Sequence, residues 1–241
     1  MKSVFSLLTS AFFFGLVLFV ASPTSLKAQS VGTAATKENL DLPFDALGQA
    51  DDEEDAPEIV IFEGTQLEAD GFFYVIDRSG TMNDRGELGI ARKEVVKNIS
   101  EFSDRVQFGV VFFGADIAKF PSSGQPADAS PSMKASGINF VQSTPQLNGT
   151  CCQKAISAIF QMANIATCKK KVIVYLSDGG GTCGGGDEAA YLKQTMALAT
   201  SQNYQRIQLN TIGVLDLTPL GEAFMKQLAA SNGGTYARVN H

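Results

Sequence analysis

The chain has 241 residues, 44% of them hydrophobic and 23 of them glycine, enough for one sizeable α/β domain with tight turns. Its formal charge of −6 argues against nucleic acid or an anionic membrane as partner. There is no tryptophan, and the single histidine is His241, which leaves almost no room for histidine catalysis or a histidine-rich zinc site. In chain order, Lys2 followed by an apolar run from Val4 to Ala21, a break at Ser22-Pro23-Thr24-Ser25 and a cleavage site at Leu26-Lys27-Ala28 read as an export signal over 1–28. An uncleaved membrane anchor is the competing reading, and no Leu-x-x-Cys lipobox follows. Loss of Lys2 and Lys27 leaves 17 basic against 25 acidic residues, a formal charge of −8.

Residues 29–57 show no periodic pattern. Asp51-Asp52-Glu53-Glu54-Asp55, closed by Ala56-Pro57, marks them as an acidic flexible linker, and the spacing and glycine of an EF-hand loop are missing. A domain over 58–241 follows. Residues 58–63 are a short strand leading into it. Residues 72–77 form a strand apolar enough to be buried on both faces. Leu88, Ala91, Val95, Ile99 and Phe102 recur at helical spacing and predict a helix over 86–103. A strand over 106–113, with Phe112 and Phe113 in the core, precedes an edge strand over 117–120. Residues 121–131, rich in Ser, Pro, Gly and Ala, are a loop, and 133–142 a helix. After Thr150 comes a helix carrying Ala155, Ile156, Ile159, Phe160 and Ala163, then a strand over 171–177. A glycine-rich loop over 179–186, a helix over 187–202, a strand over 207–214, a helix with Leu220, Phe224 and Leu228, and a strand over 235–239 complete the domain. Strands alternating with amphipathic helices predict an open, mostly parallel, doubly wound Rossmann-like sheet of about six strands with helices on both faces. In such sheets, sites lie outside the carboxyl ends of the strands near the switch in strand order, where Asp77 and Asp178 fall.

The chemistry sits at those ends. Asp77-Arg78-Ser79-Gly80-Thr81 places one carboxylate and two hydroxyls directly after a buried strand. Thr150 follows a long loop, and Ser177-Asp178-Gly179 closes a second buried strand. All the donors are hard oxygens, suited to Mg²⁺ or a similar cation. Each piece alone also reads as a strand-end turn. Together, Asp77-x-Ser79-x-Thr81, Thr150 and Asp178-Gly179 resemble the metal-ion-dependent adhesion site of bacterial exported von Willebrand factor type A domains. The resemblance covers about residues 71–241. One departure is Thr81, where the family usually has a second serine; the hydroxyl is kept. It implies that Ser79, Thr81 and Thr150 give hydroxyl oxygens to the ion, with Asp77 and Asp178 acting directly or through water. The cofactor expected is Mg²⁺, with Mn²⁺ or Ca²⁺ as alternatives, and the partner a protein offering an Asp or Glu carboxylate.

The four cysteines are Cys151, Cys152, Cys168 and Cys183. Export permits disulfides. Cys151 and Cys152 begin a helix at the metal end of the sheet, and Cys183 lies in the loop after Asp178 at the same end. Cys168 precedes its strand and belongs at the opposite end, about a strand length away. Cys183 is therefore expected to pair with Cys151 or Cys152, leaving Cys168 a buried free thiol or an intermolecular partner. Gly179-Gly180-Gly181 and Gly184-Gly185-Gly186 lack the Gly-Lys-Ser/Thr of a phosphate loop.

The function expected is exported, metal-dependent binding or adhesion without catalysis, in the periplasm, at the cell surface or secreted. Membrane contact arises only if the N-terminal segment is uncleaved. Two alternatives stand beside it. A Mg²⁺-dependent phosphohydrolase of the haloacid dehalogenase type would need an aspartate where Ser79 stands. A metal-free scaffold would keep the residues without the ion.

Overall fold

Continuous apolar runs become the centre of the sheet, and alternating ones become its cover. The computed structural model describes residues 56–62, 64–84, 86–214 and 217–239. The predicted signal segment over 1–28 and the acidic block 51–55 lie outside the described residues.

The expected short strand leading into the domain is Glu58–Phe62 (β1), and it lies outside the main sheet. It pairs antiparallel with Thr65–Ala69 (β2) in a separate hairpin. The reason is its alternation. Val60, Phe62, Leu67 and Ala69 are buried while Ile59 and Ile61 point outward, the pattern of a pair covered on one face only.

Gly71–Asp77 (β3), buried at every position, is a central strand. With Gln107–Phe113 (β4), Ile117–Phe120 (β5), Ala127–Asp128 (β6), Lys171–Ser177 (β7), Gln208–Val214 (β8) and Tyr236–Val239 (β9) it forms a seven-stranded sheet of order β5-β4-β3-β7-β8-β9. Strand β6 pairs with β4. Only β5 and β6 run antiparallel to their neighbour. The strand beyond the expected six is β6. Its two residues fall in the stretch read as loop, and two residues carry no period.

Gly80–Asp84 (α1), Glu87–Glu101 (α2), Pro131–Ser143 (α3), Cys152–Ile165 (α4), Glu188–Gln202 (α5) and Pro219–Ser231 (α6) are the helices. The short α1 was not expected; Gly86, at φ 82°, separates it from α2 in a left-handed conformation that glycine adopts freely. Ser130, Asp187 and Thr218 cap α3, α5 and α6 through their side chains, with Pro131 and Pro219 opening two of them.

Alternate strand residues feed two cores. Phe72, Tyr74, Ile76, Val110 and Phe112 pack with α2, α3 and the β1–β2 hairpin, whereas Phe73, Val75, Phe113, Ile173 and Tyr175 pack with α4, α5 and α6. Phe112 and Phe113 are core residues, and Phe120 is half-buried against Phe108 and Phe140. Each such aromatic contributes on the order of 1.5–3 kcal/mol by leaving water. Strand β3 continues through α2 to β4 on one side, and β7 through α5 to β8 on the other. The switch in strand order thus falls between the carboxyl ends of β3 and β7.

Candidate metal centre

Asp77 ends β3 and is buried completely. Its Oδ1 accepts a hydrogen bond from the Ser79 backbone N–H at 2.8 Å, which closes the turn after the strand. Its Oδ2 accepts from Ser177 Oγ at 2.8 Å, and Ser177 Oγ in turn accepts from Gly179 N–H at 3.0 Å. One carboxylate therefore clamps both strands of the switch point. Ser79 Oγ lies 3.1 Å from Thr81 Oγ1, and Thr81 Oγ1 donates a short bond to Asp178 Oδ2. Asp77, Ser79, Thr81 and Asp178 form one connected cluster.

Thr150 is not hydrogen-bonded into that cluster and is placed by its loop instead. Its loop is hung on the end of β3 and on the turn after β4. Arg78 Nη1 donates to Pro145 O at 2.9 Å and Leu147 N–H to Arg78 O at 3.0 Å. Ala115 N–H donates to Asn148 O at 2.8 Å, and Cys151 N–H to Gly114 O at 2.7 Å. The Thr150 side chain then lies against Gly181, so close that a Cβ there would overlap it. Gly181, at φ 133°, is held from the other side by Glu188 Oε1, which accepts its N–H at 2.7 Å.

Cys183 is bonded to Cys151, the residue after Thr150, with Cα atoms 4.4 Å apart. The bond joins the Thr150 loop to the Asp178 loop. Cys152 and Cys168 are free. Cys168 is half-buried, its sulfur against Gly71 at the start of β3, the end of the sheet away from Asp77.

Two contributors escaped the sequence reading. In the sequence Ser177 reads only as a turn former; its signal is a hydroxyl at the last buried position of a strand that ends on aspartate. Arg78 sits at an unspecified position of the motif, and no local pattern shows that it orders the Thr150 loop.

Burial, and then the charge of Asp178, push the Asp77 carboxyl up to about 7, against the opposing hydrogen bonds from Ser79 and Ser177. The cations next to these residues in sequence are turned elsewhere: Arg78 to the Pro145 and Asp116 carbonyls, Lys154 to the Asp116 carboxylate. Among the described residues no group of three or more His, Cys, Asp or Glu side chains gathers. The cluster instead offers two carboxylates and several hydroxyls, all oxygen, a set that suits a hard divalent cation retaining some of its water.

A pH effect follows for the metal-free protein. Asp77 ionises near 3.8 in the unfolded chain and near 7 in the folded one. Between those values only the folded state holds the proton, so stability should fall as pH rises from about 4 to about 7 and then level off, by at most about 4 kcal/mol. Urea titrations in EDTA at pH 5 and pH 8, beside Asp77→Asn, measure this. A pH difference of equal size in the variant would assign it to other groups.

The fold has counterparts among solved structures. The chain superposes on a von Willebrand factor type A protein from Catenulispora acidiphila with a TM-score of 0.61 at 19% identity, over 73% of this chain and 40% of that one. The fold is that of a von Willebrand factor type A domain. The same fold is seen in the vWF domain of the type V pili tip protein of Porphyromonas gingivalis, with a TM-score of 0.56 at 12% identity over 71% of this chain and 89% of that domain. In sequence the chain is 25% identical over 185 residues to inter-alpha-trypsin inhibitor heavy chain H4 of Homo sapiens, which is 74% of this chain and 19% of that protein. It thus spans about a fifth of the length of that curated relative. No family model matches the chain.

Within the type A fold, Gly181→Ala is a sharp test of how Thr150 is placed. A methyl group would overlap the Thr150 side chain, in a backbone conformation that L side chains rarely adopt. Mg²⁺ affinity is expected to fall, while the far-ultraviolet circular dichroism of the folded protein stays unchanged. Unaltered affinity by calorimetric titration would separate Thr150 from the site.

Proposed function

We propose that the chain is an extracytoplasmic binding module that captures a carboxylate of a protein partner through a divalent cation held by Asp77, Ser79, Thr81, Thr150 and Asp178. The observation that carries this reading is the cluster of two carboxylates linked through hydroxyls at the switch point of the sheet. When bound, Mg²⁺ (or Mn²⁺ or Ca²⁺) supplies a coordination position that attracts an external carboxylate.

The protein's own residues set the terms. Ser79 and Thr81 are neutral donors, so the charge of the ion is offset mainly by Asp77 and Asp178. Asp77 is fixed by Ser79 N–H and Ser177 Oγ and cannot swing outward to compete with a ligand. Thr81 is exposed and Asp178 partly so, which leaves the outer side of the cluster open to a partner.

Catalysis is not part of this reading, because Ser79 occupies the position where a phosphohydrolase of the haloacid dehalogenase type would carry its acid/base aspartate. An extracytoplasmic location rests on the signal-like sequence at 1–28. Among the described residues no helix is long and apolar enough to cross a membrane. Calorimetric titration with Mg²⁺, followed by an acidic peptide, tests the proposal; no heat from Mg²⁺ would sink it.

A further inference from the structure

We propose that a track of cations along the amino ends of the central strands is the docking surface for the acidic segment 51–55 of the same chain, whose sequence is Asp-Asp-Glu-Glu-Asp.

The track is set by element order. Arg105 stands just ahead of β4, Lys169, Lys170 and Lys171 lead into β7, and Arg206 stands just ahead of β8. In the sheet these strands lie in the order β4-β3-β7-β8, so the cations share the end of the sheet away from Asp77. Two hollows join them. One, of about 260 Å³, is lined by Ala56, Arg105 and Lys169 among others. The other, of about 270 Å³, takes in Lys169, Lys171, Gln205 and Arg206. Lys169 borders both.

Much of this charge is not spent on acids of the domain. Lys170 pairs with Glu68 at 3.0 Å, but Lys171 Nζ donates to the neutral Gln205 Oε1 at 2.7 Å. Among the described residues no carboxylate pairs with Arg105 or Arg206. The two acids lining the first hollow are engaged within the domain. Glu58 accepts from Ser103 N–H and Oγ, and Asp70 Oδ2 accepts from Lys170 N–H at 3.0 Å. The second hollow has no acid in its lining. Arg206, at φ 55°, is the one non-glycine in a left-handed conformation among the described residues. Asn203 fixes that turn: its Oδ1 accepts from Ile207 N–H at 2.6 Å and its Nδ2 donates to Ile207 O at 2.8 Å.

The chain itself supplies the occupant. Ala56 follows Asp55 directly and lines the first hollow, so the segment starts on the track. Five extended residues reach about 17 Å. From β3 to β8 is two strand spacings, about 10 Å, so the segment is long enough to pass Lys169 and Lys171 and meet Arg206. Asp77 lies a strand length of about 23 Å away, beyond its reach. Single exposed ion pairs contribute little. Attachment at Ala56, however, holds the segment at an effective concentration on the order of millimolar, against which an outside anion must compete. The contact does not depend on a bound metal.

Nitrogen-15 NMR of the purified protein tests the proposal, beside a variant neutralised over the segment (Asp51→Asn, Asp52→Asn, Glu53→Gln, Glu54→Gln and Asp55→Asn). Neutralisation is expected to shift the amide signals of Lys171 and Arg206, which are too far along the chain to sense the substitutions without contact. The difference between the two proteins should vanish in about 0.5 M NaCl, which screens exposed charges over a few ångströms. Arg206→Gly, a substitution that the left-handed backbone accepts, should move the signals of 51–53 toward their high-salt positions. A hexaglutamate peptide should bind the track about tenfold more weakly in the wild type than in the neutralised variant. Identical Lys171 and Arg206 signals in the two proteins overturn the proposal. So do shifts lost on dilution, which would make the occupant a second copy of the chain. Equal binding of hexaglutamate to both proteins also overturns it, and would make the track a site for an outside acidic chain.

Discussion

Saturating Mg²⁺ is expected to raise the thermal unfolding midpoint by about 5–10 °C, and Asp77→Asn to erase that shift. A ligand that binds only the folded state stabilises it by about 2.7 kcal/mol at a hundred times its Kd. For a domain of this size each kcal/mol moves the midpoint by about 2–4 °C. Asp77→Asn is a discriminating control because it preserves shape. Its amide oxygen can still accept from Ser79 N–H, so the turn survives while the charge that would hold the ion is lost. In EDTA the variant should be at least as stable as the wild type at pH 8, because it no longer buries an ionised carboxylate beside Asp178. An unchanged midpoint with Mg²⁺, Mn²⁺ and Ca²⁺ alike, with no heat on titration, would leave a scaffold of the type A fold. A shift of equal size in the variant would place the ion elsewhere.

Removing the Cys151–Cys183 bond is expected to have two separable effects. The bond closes a loop with a sequence separation of 32, and loop-closure entropy puts its contribution at about 3–4 kcal/mol. Cys183→Ser should therefore lower stability in urea by roughly that amount. The substitution is mild locally because Cys183 is exposed, whereas Cys151 is buried. The second effect is on the site. The glycine-rich loop after Asp178 is held by Glu188 and by the bond to Cys151, and Thr150 is held against Gly181 of that loop. Without the bond both loops gain freedom, and Mg²⁺ affinity should fall on the order of tenfold, as it does when supporting residues of metal sites are removed. Stability lost with affinity kept would mean that Glu188 and the Arg78 contacts suffice to shape the site.

The parts of the site differ in how far the sequence revealed them, and the difference has a physical origin. Asp77 and Asp178 are legible because each ends an apolar run long enough to be a buried strand. Strands buried on both faces at a switch point leave their last residues facing one crevice. Thr81 and Ser79 follow from Asp77 through local spacing. Arg78 and Ser177 are not legible as contributors. Their roles depend on partners 67 and 100 residues away, Pro145 and Asp77 respectively.

The cysteines show the same division. Placing both ends of the bond at the Asp77 and Asp178 end of the sheet needed only element order, and that excluded Cys168. The choice between two adjacent cysteines needed the rotation of α4 about its axis. Cys152 is the first residue of α4, its sulfur 3.7 Å from Tyr191 OH and 3.8 Å from Thr195 Oγ1 under α5, whereas Cys151 at the cap meets the Asp178 loop. By itself the sequence determined the alternation of elements, the buried strands and the aspartates at their ends, because periodicity and apolar runs are local properties of a chain. Only the tertiary structure decided that β1 folds back on β2, that Ser177 and Arg78 hold the site, and that cations ahead of β4, β7 and β8 share one end of the sheet. Each of these is a meeting of segments distant in sequence, set by how the layers pack.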